Sequence, residues 1–95
     1  PDLAAILCAN DNMALGAVAA ISQAGKAGDV AVIGFDNISA VQSLVRDGSV
    51  LATANQHGDL LAVYGIEHAL KSIQSSVAPE DRATPVDLIT ADALN

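Results

Sequence analysis

The sequence predicts an α/β fold, a parallel sheet whose strands are joined by βαβ crossovers. Three observations predict it. Short, continuously apolar runs of strand length recur along the chain; segments with helical spacing lie between them; and a small polar cluster follows each of the first three runs. Strands that are apolar on both faces belong to sheets covered by helices on both sides, which are parallel sheets with right-handed crossovers.

The elements follow in order. Leu3 to Ala9 is an apolar run, ended by Asn10-Asp11-Asn12. That cluster is also a helix start, because Asn and Asp side chains accept hydrogen bonds from the free amides of a first turn. Met13, Ala17, Ala20, Ile21 and Ala24 recur at helical spacing and form the expected inner face, and Gly25-Lys26 closes the helix. Val30 to Ile33 is the second strand, closed by Gly34-Phe35-Asp36. Ser39 is the expected cap of a second helix whose inner face is Val41, Leu44 and Val45, and Gly48 ends it. Val50 to Ala54 is a third strand, left through Asn55-Gln56-His57-Gly58. From Asp59 a longer helix runs, with Tyr64, Ile66, Leu70 and Ile73 expected to face inward. Ser75 to Thr84, with Pro79 and Glu80-Asp81-Arg82, reads as a polar connector. Pro85 to Thr90 is a last strand, expected near an edge because it opens on Pro and carries Asp87.

Composition narrows the function. Ninety-five residues make at most one small domain. Hydrophobic residues reach 52%, but with one Phe, one Tyr and no Trp, which suits thin helices on a sheet and not an aromatic binding surface. A formal charge of −7 with four Lys and Arg residues argues against nucleic acid, whose phosphates need cations, and against an anionic membrane surface. No apolar run approaches the roughly 20 residues that span a bilayer. The chain opens on Pro1 and enters a strand at once, as expected of a processed chain or of a piece of a longer one. Cys8 is the single cysteine, set in an apolar run, and reads as a buried thiol.

In parallel sheets, ligands bind beyond the carboxyl ends of the strands. The groups leaving the first three strands are Asn10-Asp11, Phe35-Asp36 and Asn55-Gln56, an amide, a carboxylate and an amide on one edge. Such groups suit a polyhydroxylated ligand: Asp accepts from neighbouring hydroxyls, while Asn and Gln both donate and accept. From spacing alone, Asn10 and Asp11 serve equally as helix caps or as ligand contacts, and Asp36 equally as an ordinary loop acid. Other chemistries lack their parts. His57 and His68 have no metal-ligand spacing, Gly25-Lys26-Ala27-Gly28 lacks the spacing of a phosphate loop, and no serine sits in a nucleophile elbow. A phosphoacceptor role for Asp36, as in receiver domains, would need a further acidic pair and a strand-end Lys, whereas Lys26 and Lys71 lie in or after helices.

Three ordered motifs then carry a resemblance over nearly the whole chain. Ala9-Asn10-Asp11-Asn12-Met13-Ala14-Leu15-Gly16-Ala17 resembles the xNDxMAxGA segment of ribose- and galactose-type periplasmic binding proteins and of the related LacI-type repressors. Val32-Ile33-Gly34-Phe35-Asp36 resembles their VxGFD, and Asp47 to Gln56 is similar to the transporter strand DGxLxATxxQ. Pro85-Val86-Asp87-Leu88-Ile89 is similar to the family's closing strand. The resemblance implies a periplasmic-binding-protein type I fold, with a monosaccharide trapped between two α/β lobes. It implies that Asn10, Asp36 and Gln56 bond sugar hydroxyls, that Phe35 contributes an apolar edge or ring face, and that Asp11 chiefly caps its helix. It matches about the last third of a family member. Residues 1–56 then belong to the C-terminal sugar-binding lobe, and 57–84 form a helix and connector expected to pack on an N-terminal lobe outside this chain. Residues 85–95 form a hinge-crossing strand and tail. The expected role is the substrate-binding component of an ABC-type sugar transporter in the periplasm, working with a membrane permease, without catalysis and without a cofactor. The alternative is the effector domain of a LacI-type repressor, which shares the fold and the first two motifs.

Overall fold

A computed structural model describes residues 2–78 and 80–94. Pro1, Pro79 and Asn95, which the sequence reading put at the start, in the connector and in the tail, lie outside the described residues. The elements alternate as β1 (Ala5–Leu7), α1 (Asp11–Gln23), β2 (Ala31–Phe35), α2 (Ser39–Asp47), β3 (Ala52–Asn55), α3 (Gly58–Ser75), β4 (Asp87–Ile89) and a short α4 (Ala91–Leu94). The strands form one sheet in the order β1-β2-β3-β4. β1, β2 and β3 run parallel, with Ile6 opposite Val32 and Gly34 opposite Thr53. Their carboxyl ends therefore share an edge.

The core is small and aliphatic: Ala14, Val32, Val41, Val45, Val50 and Ala52 are buried. Val41 and Val45 come from the inner face expected of α2, and the half-buried Leu44 packs beside them. Gly48 closes α2 at φ +88, a left-handed conformation that glycine adopts without a Cβ penalty. Next to it, Asp47 is held below the usual carboxylate range by the Ser49 side chain and then by the Ser49 N–H. Cys8 is half-buried against the same core.

Four expectations need correction. The sheet is mixed, not wholly parallel, because β4 pairs antiparallel with β3 (Asp87 opposite Asn55, Ile89 opposite Thr53). The cause lies in the path of the chain. α3 leaves the carboxyl edge and runs out about 27 Å at 1.5 Å per residue. The connector returns along it, with Glu80 O at 3.2 Å from His68 Nδ1 and the Arg82 guanidinium 3.5 Å above the Tyr64 ring. β4 thus enters at the edge where β3 leaves.

The second correction is to the face of α1. The helix sits down on Ala14, with Ala17, Val18 and Ile21 partly covered, while Met13, Ala20 and Ala24 are exposed. Gly34 sets that contact: a Cβ there would overlap Asp11 Oδ1 and stand 3.3 Å from Ala14 Cβ, so the bare backbone lets α1 rest directly on β2.

The third concerns α3. Ile66, Leu70 and Ile73 lie on one stripe, and that stripe is bare, with Ile73 78% exposed. Tyr64 points to the opposite side, where Leu60, His68 and Ser72 are also half-buried at helical spacing. The connector lies against that side at Tyr64 and His68. Lastly, Ser39 opens α2 without capping it: the cap position is Ile38, with no capping bond from its own side chain.

Candidate functional site

The carboxyl edge of the three parallel strands gathers the polar residues singled out from the sequence. β1 leads through Asn10 into α1, β2 ends at Phe35 and passes to Asp36, and β3 ends at Asn55 followed by Gln56. Asp36 and Gln56 meet directly: the Gln56 Nε2 donates to Asp36 Oδ1 at 2.9 Å. Asp36 is exposed, Gln56 and Phe35 are half-buried. The edge therefore presents a carboxylate already steadied by one amide, with further acceptor positions open for hydroxyl donors.

Asn10 does act as a cap, without using its whole amide. It is the N-cap of α1, its Oδ1 accepting from the Met13 N–H at 2.9 Å. That bond uses the carbonyl half of the amide, and the two N–H donors carry no bond among the described residues.

Asp11 does not do what the resemblance implied. It is the first residue of α1, fully buried, and its carboxylate turns away from its own helix end to reach two distant partners. Oδ1 accepts from the Thr53 hydroxyl at 2.7 Å, and Oδ2 accepts from the Ile38 N–H at 2.8 Å. Thr53 Oγ1 in turn accepts from the Asn37 N–H at 3.2 Å, and the Asp36 N–H donates to Ala54 O at 2.8 Å. A buried carboxylate left without partners would cost several kcal/mol, on the order of 3–5. Here both oxygens are engaged, and the negative charge lies at the start of both α1 and α2, where the helix dipoles favour it.

The turn that carries Asp36 is strained. Asp36 has φ +118 and Asn37 φ +58. Side-chain-bearing residues avoid such conformations at about 1–3 kcal/mol each, and they persist only where the surroundings hold them. Asn37 is also bound through its side chain, its Oδ1 accepting from Gln42 Nε2 at 3.3 Å.

His57, which has no metal-ligand spacing with His68, has a partner in a distant carboxylate. It stands at the start of α3 with φ +55, and its Nε2 lies 2.6 Å from Asp87 Oδ2, joining the end of β3 to the start of β4. Its N–H donates to Asn55 Oδ1 at 3.0 Å. A separate groove of about 660 Å³, lined by Leu3, Ile6, Ala17, Ala20 and Ala24, runs along α1 and β1 and includes none of Asn10, Asp36 and Gln56.

Comparison with known proteins agrees with this architecture. The family model described as "Periplasmic binding protein domain" matches residues 1–75. The D-ribose/D-allose-binding protein of Pseudomonas aeruginosa is 48% identical over 95 residues, covering 96% of this chain and 30% of that protein. A solved ABC transporter solute binding protein from Burkholderia multivorans superimposes with a TM-score of 0.88 at 52% identity, covering 95% of this chain and 32% of the other. An ABC transporter periplasmic solute binding protein from Actinobacillus succinogenes, solved with bound D-allose, gives a TM-score of 0.86 at 36% identity, covering 94% and 31%. The chain thus spans about 30% of the length of the curated relatives it matches. Matched over most of its length and sharing their α/β fold, the chain belongs to the periplasmic binding protein domain family.

Proposed function

We propose that this chain supplies part of a monosaccharide site in the substrate-binding component of an ABC-type sugar transporter. The observation that carries the reading is the pair Asp36–Gln56, bonded at 2.9 Å on the edge that also holds Asn10. Asp36 accepts from two neighbouring sugar hydroxyls, Gln56 and the free N–H donors of Asn10 complete the hydrogen-bonding edge, and Phe35 offers an apolar contact to the ring. Each bond to the charged carboxylate is worth roughly 1.5–3 kcal/mol, against about 1 for a neutral pair. The role is binding without catalysis and without a cofactor, in the periplasm, with delivery to a membrane permease.

Residues 1–56 form part of one lobe of a two-lobed clamp. Residues 57–84 pack on the other, N-terminal lobe, which covers the bare stripe of α3, and 85–95 cross the hinge. The antiparallel entry of β4 beside β3 and the exposure of Ile66, Leu70 and Ile73 support that division. The LacI-type alternative has the fold and the first two motifs behind it, whereas the relatives compared above are sugar-binding or transporter proteins by name.

Calorimetric titration of the full-length protein with a panel of pentoses and hexoses, D-ribose and D-allose among them, tests the reading. Saturable binding of at least one sugar with one-to-one stoichiometry is expected. Absence of binding across the panel would overturn it.

A further inference from the structure

We infer that Asp11 is a positioning residue for the ligand, which fixes Asp36 by clamping the strained turn 36–38 to β3. The inference rests on the assignment of Asp36 to the sugar site. Asp11 and Thr53 are the two buried polar side chains among the described residues, and they bond to each other. Together they hold two consecutive amides of the turn, Ile38 on Asp11 Oδ2 and Asn37 on Thr53 Oγ1. The preceding amide, that of Asp36 itself, is held by Ala54 O. Asp36 and Asn37 have φ +118 and +58, conformations that relax unless something holds them. Asp11 also begins the helix that Asn10 caps. One carboxylate thus ties together the ends of all three strands from which Asn10, Asp36 and Gln56 emerge, while touching no position assigned to the sugar.

The direction of the hydrogen bonds makes the role specific to a carboxylate. Thr53 Oγ1 accepts from Asn37, so its own proton goes to Asp11, and Ile38 offers only an N–H. Both partners donate, and only a group with two acceptor oxygens satisfies them. In Asp11→Asn one partner would face an N–H₂ group, and the turn would lose one of its anchors.

The experiment uses the full-length protein and compares wild type with Asp11→Asn, Thr53→Val and Thr53→Ser. Val45→Ala serves as a variant weakened in the core away from the turn. Hydrogen exchange of the ligand-free protein reads the turn, and calorimetry with D-ribose and D-allose reads the site. Asp11→Asn and Thr53→Val are expected to speed exchange at Asn37 and Ile38 and to weaken binding by about tenfold or more. Thr53→Ser, which keeps the hydroxyl, restores both, and Val45→Ala lowers the melting temperature with an unchanged Kd. Wild-type affinity or unchanged exchange in both Asp11→Asn and Thr53→Val would overturn the inference. Should Asp11→Asn not fold, the contrast between Thr53→Val and Thr53→Ser decides it. A wild-type protein that binds no sugar defeats the proposed function and the ligand role with it, while exchange still judges the clamp.

Discussion

Gly34 shows how a single residue can be visible in a sequence while its reason is not. The run Gly34-Phe35-Asp36 marks the end of a strand, but the need for glycine comes from α1, whose Asp11 and Ala14 lie over that backbone. Asp11 is held by two hydrogen bonds and cannot move aside cheaply. Gly34→Ala is therefore expected to destabilise the protein by about 3 kcal/mol, as overpacking does in tight cores, measured by urea unfolding. An unchanged midpoint would show that α1 has room to shift. Locality decides what could be read at this scale. The cap made by Asn10 spans three residues and was open to reading from spacing. The partners of Asp11 lie 27 and 42 residues away, beyond any local pattern, so its role as a clamp was out of reach. The Asp36–Gln56 bond spans 20 residues and was not itself legible, yet the sequence places both residues on one edge because consecutive parallel strands end there.

At the level of elements, the inner face and the end of α2 were legible because its apolar positions and its glycine stop agree with one another, whereas its cap was not. Val45 is 1% exposed in the centre of the core, and Val45→Ala should cost about 2 kcal/mol through lost burial and a small cavity. Thermal unfolding checks this; a loss below about 0.5 kcal/mol, typical of surface positions, would contradict it. For α1 the spacing was right and the face displaced, since rotation about a helix axis depends on what lies beneath it, here the gap over Gly34. The direction of β4 was not legible either. A strand's own residues do not encode its orientation. That is set by the return of the connector along α3, held by Arg82 over Tyr64 and by His68 at Glu80.

The whole molecule measures 59 × 28 × 17 Å with a radius of gyration of 17.7 Å. A compact chain of this length would have about 12–13 Å. The difference reflects α3, which stands off the sheet with Ile66, Leu70 and Ile73 bare. In the proposed two-lobed protein this stripe is covered, so Ile66→Ala should cost about 2–5 kcal/mol in the full-length protein and less than about 0.5 in the 95-residue chain. Equal small losses in both, by chemical unfolding, would show that no lobe covers the stripe. The ordered motifs made the family legible because they are themselves the strand ends and helix starts of the site. The bare stripe was foreseeable only from the resemblance to a longer protein. The central claim remains that the carboxyl edge of β1, β2 and β3 binds a sugar through Asp36. Its most direct test is calorimetry of the full-length protein against the sugar that wild type binds, repeated with Asp36→Ala. Loss of two bonds to a carboxylate predicts a fall in affinity of about a hundredfold or more with the fold intact. Wild-type affinity in Asp36→Ala would contradict the account.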